Sequence, residues 1–166
     1  MTAPPTVATL SAVDAGELLT LQRAAYITEA SAHDDFLLPP LTQTLGELES
    51  ELGDPDVTCL GVRDGHRLVG SVRLRRSGSV VELGRLIVAP DQQGRGTGSL
   101  LLARAEEVYP DAGEIRLFTG ENSTANIRLY TRNGYAETGR TAAGDYELVH
   151  MTKQRQWQKT PAPDAD

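Results

Sequence analysis

The sequence predicts an α+β domain built on a mixed, mostly antiparallel central sheet with flanking helices. Three observations carry this prediction. Apolar residues recur at helical spacing before residue 53, short β-branched runs alternate with turn dipeptides between 57 and 88, and a helical stretch separates two further strands at 80–88 and 114–119. At 166 residues the chain has the size of one domain. Residues 1–153 are read as that domain, and 154–166, which include Pro161 and Pro163, as a flexible C-terminal tail.

Residues 3–11 form a short, proline-containing lead-in. Asp14 and Glu17 have the spacing of a capping box, in which two side chains satisfy each other's free backbone N–H at a helix start. Leu18, Leu21, Ala25 and Glu29 follow at steps of three or four, so a helix over 14–30 turns one face inward. Residues 31–41 break the pattern, and Pro39 and Pro40 disfavour helix there. Thr44 and Glu47 repeat the capping spacing ahead of Leu45, Leu48 and Leu52, which predicts a second helix ending near Gly53. Strands over 57–63 and 67–74 are joined as a hairpin by Asp64-Gly65, a tight-turn dipeptide. Ser77-Gly78 marks the next turn, and a third antiparallel strand over 80–88 stops at Ala89-Pro90, since proline cannot continue a central ladder. Helical spacing returns over 96–109, with Leu101, Ala105 and Val108 on one stripe and Arg104, Glu106 and Glu107 turned to solvent. A strand over 114–119, a short helix over 125–132 closed by Asn133-Gly134, and a hairpin of 135–140 with 145–153 complete the order. The edge of that hairpin is a surface two copies could share, so a homodimer is expected as a possibility.

Composition excludes several function classes. A net charge of −7 repels a phosphate backbone over most of the surface, so nucleic acid is not the expected partner. The longest apolar runs fall far short of the roughly 18–20 residues a bilayer requires, so no membrane span is expected. Residues 1–9 lack the basic start and long apolar stretch of an export signal, and the expected location is cytoplasmic. Cys59 is the single cysteine, which leaves no internal disulfide and no thiolate cluster for a metal; its expected role is apolar packing.

The most informative stretch is Gln93-Gly94-Arg95-Gly96-Thr97-Gly98, between the strand at 80–88 and the helix carrying Leu101 and Ala105. Glycines permit turns barred to other residues and close approach of a ligand, and the first helical turn presents unpaired N–H groups. A diphosphate would accept hydrogen bonds there and gain from the helix dipole, and Arg95 would add charge. A nucleotide P-loop requires a lysine after its last glycine, but Gly98 is followed by Ser99-Leu100. The dinucleotide fingerprint requires G-x-G-x-x-G in a parallel unit, but Gly94, Gly96 and Gly98 are evenly spaced after antiparallel hairpins. Taken alone, three glycines also make a plain strand-to-helix turn.

This stretch resembles the signature of the GNAT superfamily of N-acetyltransferases, Gln/Arg-x-x-Gly-x-Gly/Ala, through Gln93, Gly96 and Gly98. Asn126-Ile127-Arg128-Leu129-Tyr130, with Gly134-Tyr135, is similar to that family's second motif. The two motifs stand at the family's separation, and the resemblance covers residues 57–153. It implies a GNAT-like sheet whose fourth and fifth strands splay apart, with acetyl-CoA as co-substrate and no metal. Leu86, Ile87 and Val88 would hold the pantetheine arm. Gln93, Gly94, Arg95, Gly96, Thr97, Gly98 and Ser99 would hold the diphosphate, with Asn126 and Tyr130 beside the thioester.

The implied reaction is direct attack of a primary amine, on a small molecule or a peptide or protein, on the thioester. It requires a base for the amine and an acid for the departing thiolate. Asn126 and Tyr130 lie four apart on one helix face, and Tyr130 is the candidate acid. Glu82 is the candidate base; by simple alternation Glu82, Gly84, Leu86 and Val88 face one side, unless a bulge intervenes. His150 and His33 are weaker alternatives. By the same resemblance, acceptor choice falls to Tyr26, Glu29, His33, Asp34, Asp35 and Phe36, whose acids would attract a cationic amine. A non-catalytic coenzyme-binding module of the same fold, or a transferase using another acyl-CoA, is the alternative reading.

Overall fold

A computed structural model describes residues 3–155. Its strands are β1 (Thr6–Thr9), β2 (Val57–Asp64), β3 (Arg67–Ser77), β4 (Val80–Val88), β5 (Glu114–Gly120), β6 (Ala136–Ala143) and β7 (Tyr146–Gln154). They form one sheet in the order β1-β2-β3-β4-β5-β7-β6. All neighbours are antiparallel except β4 and β5, which are parallel and linked by helix α4 (Thr97–Val108). This is the mixed α+β sheet that the sequence predicts, including the strand–helix–strand crossover. β1 is the exception: the lead-in pairs with β2 from Thr6↔Arg63 to Thr9↔Leu60. Four largely exposed residues at a sheet edge carry no alternation by which a strand could be read.

Helix α1 (Ala15–His33) runs three residues beyond its expected end and stops at Asp34, whose φ of 49° puts it in the left-handed region. Glu17 does not cap it. Its carboxylate instead accepts hydrogen bonds from Leu68 N at 2.8 Å and Arg63 Nη1 at 2.9 Å, while Asp14 accepts from Ser11 N at 2.9 Å in the turn before the helix. Pro39 and Pro40 open a short helix, α2 (Pro39–Thr42), rather than preventing one, because first-turn residues need no N–H. Helix α3 (Leu45–Leu52) begins with the expected capping box: Thr44 N donates to the Glu47 carboxylate at 2.8 Å, and Glu47 N donates to Thr44 Oγ1 at 3.2 Å.

The helices sandwich the sheet. Consecutive β3 residues divide the two faces: a β-carbon on Gly70 would meet Thr97 and Leu101 of α4, whereas Ser71 lines a small cavity with Leu18 and Gln22 of α1 and Leu48 of α3. Val62, Val72, Leu74, Leu101, Leu102 and Ile115 are fully enclosed between these layers, and Cys59 is buried among apolar side chains as expected. Glu106 is not turned to solvent. Its carboxylate accepts from Lys153 Nζ at 2.9 Å, and Lys153 also donates to Asn133 O at 2.8 Å, closing the helix α5 (Thr124–Arg132) against β7. β7 includes Gln154, and Arg155 N donates to Gly113 O at 2.8 Å, so pairing continues past residue 153. The rest of the expected tail, 156–166, lies outside the described residues.

Candidate active site

β4 and β5 pair over only three positions, Val80↔Glu114, Val81↔Ile115 and Glu82↔Arg116. Beyond Glu82 the ladder between them ends, while β5 goes on pairing with β7 as far as Gly120. A wedge therefore opens, and β4 presents unpaired backbone groups along it; such groups seek a partner. On its other side β4 carries a β-bulge. Ser71 faces Ile87 and Arg73 faces Gly84, so two positions on β3 span three on β4. Arg85, with φ of 50°, absorbs the extra residue in the left-handed region. Gly84 leaves room for the cross-strand guanidinium, since a β-carbon there would lie 3.1 Å from Arg73 Nη2.

The bulge overturns the simple alternation. Ile87, not Leu86 or Val88, shares the face of Glu82 and Gly84, because it stands opposite Ser71, two residues from Arg73. Glu82 is exposed on the closed part of the ladder, between Arg75 of β3 and Arg116 of β5.

After β4 the chain passes a 3₁₀ turn, Pro90–Gln92, and an extended Gln93 before α4 begins. Gly94 and Gly96 take φ of 75° and 83°, conformations that side chains disfavour, and a β-carbon on either would meet nothing within 4 Å. The loop surface is thus open. Among the described residues, no backbone N–H from 93 to 99 donates to a protein acceptor. Arg95 makes a single side-chain bond, from Nη1 to Gln92 Oε1 at 3.4 Å. A row of free amides at a helix start, continuous with an unpaired strand edge, fits a ligand that joins an anionic group to an amide-bearing arm.

At the far end of the wedge, α1, β5 and α5 meet on Glu29. Ser123 Oγ donates to Glu29 Oε1 in a short bond, and Asn126 Nδ2 donates to the same oxygen at 3.1 Å. His33 holds the other side: its Nε2 accepts from Asn122 N at 3.1 Å, which leaves Nδ1 to donate to Glu29 O at 3.0 Å. Tyr146 packs at a tilt against the His33 ring and donates to Asp35 at 3.0 Å. Tyr130 is 5% exposed, yet its hydroxyl has no protein partner among the described residues and is not sealed. Burial, with the nearby Tyr26 and Glu29, holds the Tyr130 phenol well above its usual range.

A separate polar network lies at the bulge. Arg73 Nη1 donates to Glu51 at 2.8 Å, and Gln43 Nε2 donates to the other Glu51 oxygen at 2.9 Å. Gln43 Oε1 in turn accepts from Arg85 Nη1 and Gln22 Nε2, both at 2.9 Å. Burial pushes the neighbouring Tyr26 phenol up to about 12.

The structure thus gathers Asn126 and Tyr130 with Tyr26, Glu29 and His33, and sets Glu82 and His150 apart; His150 lies on β7 against Phe118 and Thr141. Asp34 ends α1, and Phe36 is 54% exposed. Sequence reasoning missed Ser123, Asn122, Gln43, Glu51 and Arg85. For Arg85 there was a signal, a cation among the apolar residues Leu83, Leu86, Ile87 and Val88. Among the described residues there is no group of three side chains able to hold a metal, and no helix is long and apolar enough to cross a membrane.

The sequence model of the Acetyltransferase (GNAT) family matches residues 18–135. The chain belongs to that family, whose general reaction is acetyl-CoA-dependent acetyl transfer. It is 30% identical over 132 residues to the UPF0157 protein YqkA of Bacillus subtilis (strain 168), an alignment covering 78% of this chain and 37% of that protein. The chain therefore spans little more than a third of that curated relative. Among solved structures it is similar to the PaiA N-acetyltransferase from Thermoplasma acidophilum in complex with coenzyme A, with a TM-score of 0.77 and 20% identity over 92% of this chain and 100% of that one. It is also similar to the ribosomal-protein-S18-alanine N-acetyltransferase from Escherichia coli, with a TM-score of 0.76 and 15% identity over 95% and 99% of the two chains. These likenesses bear on the fold.

Proposed function

We propose that this protein is an N-acetyltransferase that moves the acetyl group of acetyl-CoA to a primary amine of a small molecule, peptide or protein. The observation that carries this reading is the continuity of the unpaired β4 edge with the free amides of residues 93–99. The backbone of Leu86, Ile87 and Val88 binds the amide-rich arm, and the amides from Gln93 to Ser99 bind the diphosphate, with Arg95 adding charge. When bound, acetyl-CoA supplies a thioester carbonyl open to direct attack.

Tyr130 acts as the acid. Its buried phenol stays protonated at neutral pH, and its hydroxyl has no competing protein partner. It hydrogen-bonds the departing sulfur and supplies the proton. A thiolate formed in the same desolvated crevice is itself made more basic, so the transfer is not opposed by the raised phenol. We assign the base to Glu29 rather than Glu82, because Glu29 touches Asn126 on the helix of Tyr130 while Glu82 faces Arg75 and Arg116. Glu29 takes the proton the amine loses, and Ser123 and Asn126 fix its orientation.

The test is release of free thiol from acetyl-CoA across a panel of amines. Wild-type protein is expected to release thiol in an amine-dependent way. Tyr130→Phe should lower turnover about 100-fold, the usual scale for losing a general acid, with coenzyme affinity within about twofold of wild type. A wild-type rate in the variant removes Tyr130 as the acid. Coenzyme binding with no amine-dependent release across the panel would instead favour a non-catalytic binding module.

A further inference from the structure

Arg85 stands where the bulge of β4 meets the wedge, and its backbone adopts a conformation that L-residues avoid. Its side chain lines a small cavity with Gln22, Glu51, Cys59 and Arg73. Two cations and one carboxylate meet there. Glu51 is engaged by Arg73 at 2.8 Å and by Gln43 at 2.9 Å. Arg85 is left with a neutral acceptor, Gln43 Oε1 at 2.9 Å. The other arginines of β2 and β3 differ: Arg63, Arg67, Arg73, Arg75 and Arg76 each form an ion pair with a carboxylate. Among the described residues Arg85 has no such pair. Its remaining donors are not sealed, since no buried side-chain nitrogen lacks a partner. A partly buried guanidinium with free donors, near Glu51 but with no carboxylate in direct contact among the described residues, favours a planar anion.

One face of α1 joins this cation to the carboxylate of the transfer site. Gln22, Tyr26 and Glu29 follow at steps of four and three, so they lie along a single stripe. Gln22 donates to Gln43, the partner of Arg85, and Glu29 accepts from Asn126. At a rise of ~1.5 Å per residue, the two ends of the stripe are about 10 Å apart. Tyr26, between Gln22 and Glu29 on the stripe, lies near enough to feel the charge of both Arg85 and Glu29, so a cation and an anion flank one side chain.

We propose that Arg85 is the anion-binding residue of the acceptor pocket, and that the acceptor is an amine that also carries a carboxylate. The inference rests on the transferase reading for the role of the bound amine, but the anion site can be tested without turnover. Calorimetric titrations of the protein with N-acetyl amino acids and with their carboxamides, the carboxylates set at one to five carbons from the nitrogen, compare the matched pairs directly. Wild-type protein should favour the best carboxylate over its amide by at least about tenfold, the scale of one charge-assisted pair. Arg85→Gln should bring that ratio to within about twofold, and Arg85→Lys should keep part of it. The same ratios are expected in kcat/KM for the free amines with acetyl-CoA. Equal affinity for carboxylates and amides, a preference that survives in a folded Arg85→Gln, or a variant that loses coenzyme A affinity instead would each overturn the proposal. Failure of wild-type protein to bind coenzyme A would remove the transferase reading while leaving the carboxylate comparison to judge Arg85 separately.

Discussion

His33 occupies the space that a side chain at position 120 would need: a β-carbon on Gly120 would lie 2.2 Å from its Nε2. The imidazole cannot easily yield, because its ring is buried, packed at a tilt against Tyr146, and bonded to Asn122 N and Glu29 O. Those bonds seat the β5–α5 connection against α1, and through Ser123 and Asn126 they hold Glu29. Gly120→Ala should therefore destabilise the fold by about 1–3 kcal/mol, the usual cost of overpacking. It should also lower acetyl transfer more than it lowers coenzyme affinity. Chemical denaturation beside a transfer assay checks both; an unchanged midpoint would show that His33 has room to move.

At the scale of elements, much of the site is set by β4, and β4 shows where sequence reading succeeds and where it stops. The glycine turn after it was legible because Gly94 and Gly96 are needed for their positive φ, a local requirement written in residue type. The α3 capping box was legible for the same reason, through Thr44 and Glu47. The splayed strands came from the family resemblance, and the three-position ladder of β4 with β5 agrees with it. The bulge was not legible. Alternation assumes that no residue is inserted, and whether Arg85 adopts φ of 50° depends on β3 and on the Gln43 and Glu51 network, which are distant in sequence. This is why simple alternation set Leu86 and Val88, rather than Ile87, on the face of Glu82. Asp14 and Glu17 show the same limit, since the competing partners, Leu68 N and Arg63, lie about fifty residues away.

For the molecule as a whole, three carboxylates that tie elements together, those of Glu17, Glu51 and Asp111, titrate below their ordinary range. The backbone N–H of Leu68 holds Glu17 down despite some desolvation, with Arg63 adding to the effect. At Glu51 burial acts to raise the pKa, but the bond and charge of Arg73 overcome it. The Arg76 guanidinium holds Asp111 down. Groups with depressed folded pKa values contribute stability above their unfolded values, near 4, and lose it as pH falls through the folded ones. Melting temperature should thus vary little between about pH 7 and 5 and fall below about pH 4, a window these shifts define. A melting temperature that rose on acidification would contradict these pairings. The same molecule-wide frame holds the loop at 93–99 open at the end of the wedge, where coenzyme A is proposed to bind. Calorimetric titration of coenzyme A into wild-type protein and a folded Gly96→Asp variant tests that binding most directly. Saturable one-to-one binding by wild type, weakened at least about 100-fold in the variant by strain at a positive φ and by charge repulsion, is the predicted result. Equal affinity in the two proteins would contradict it.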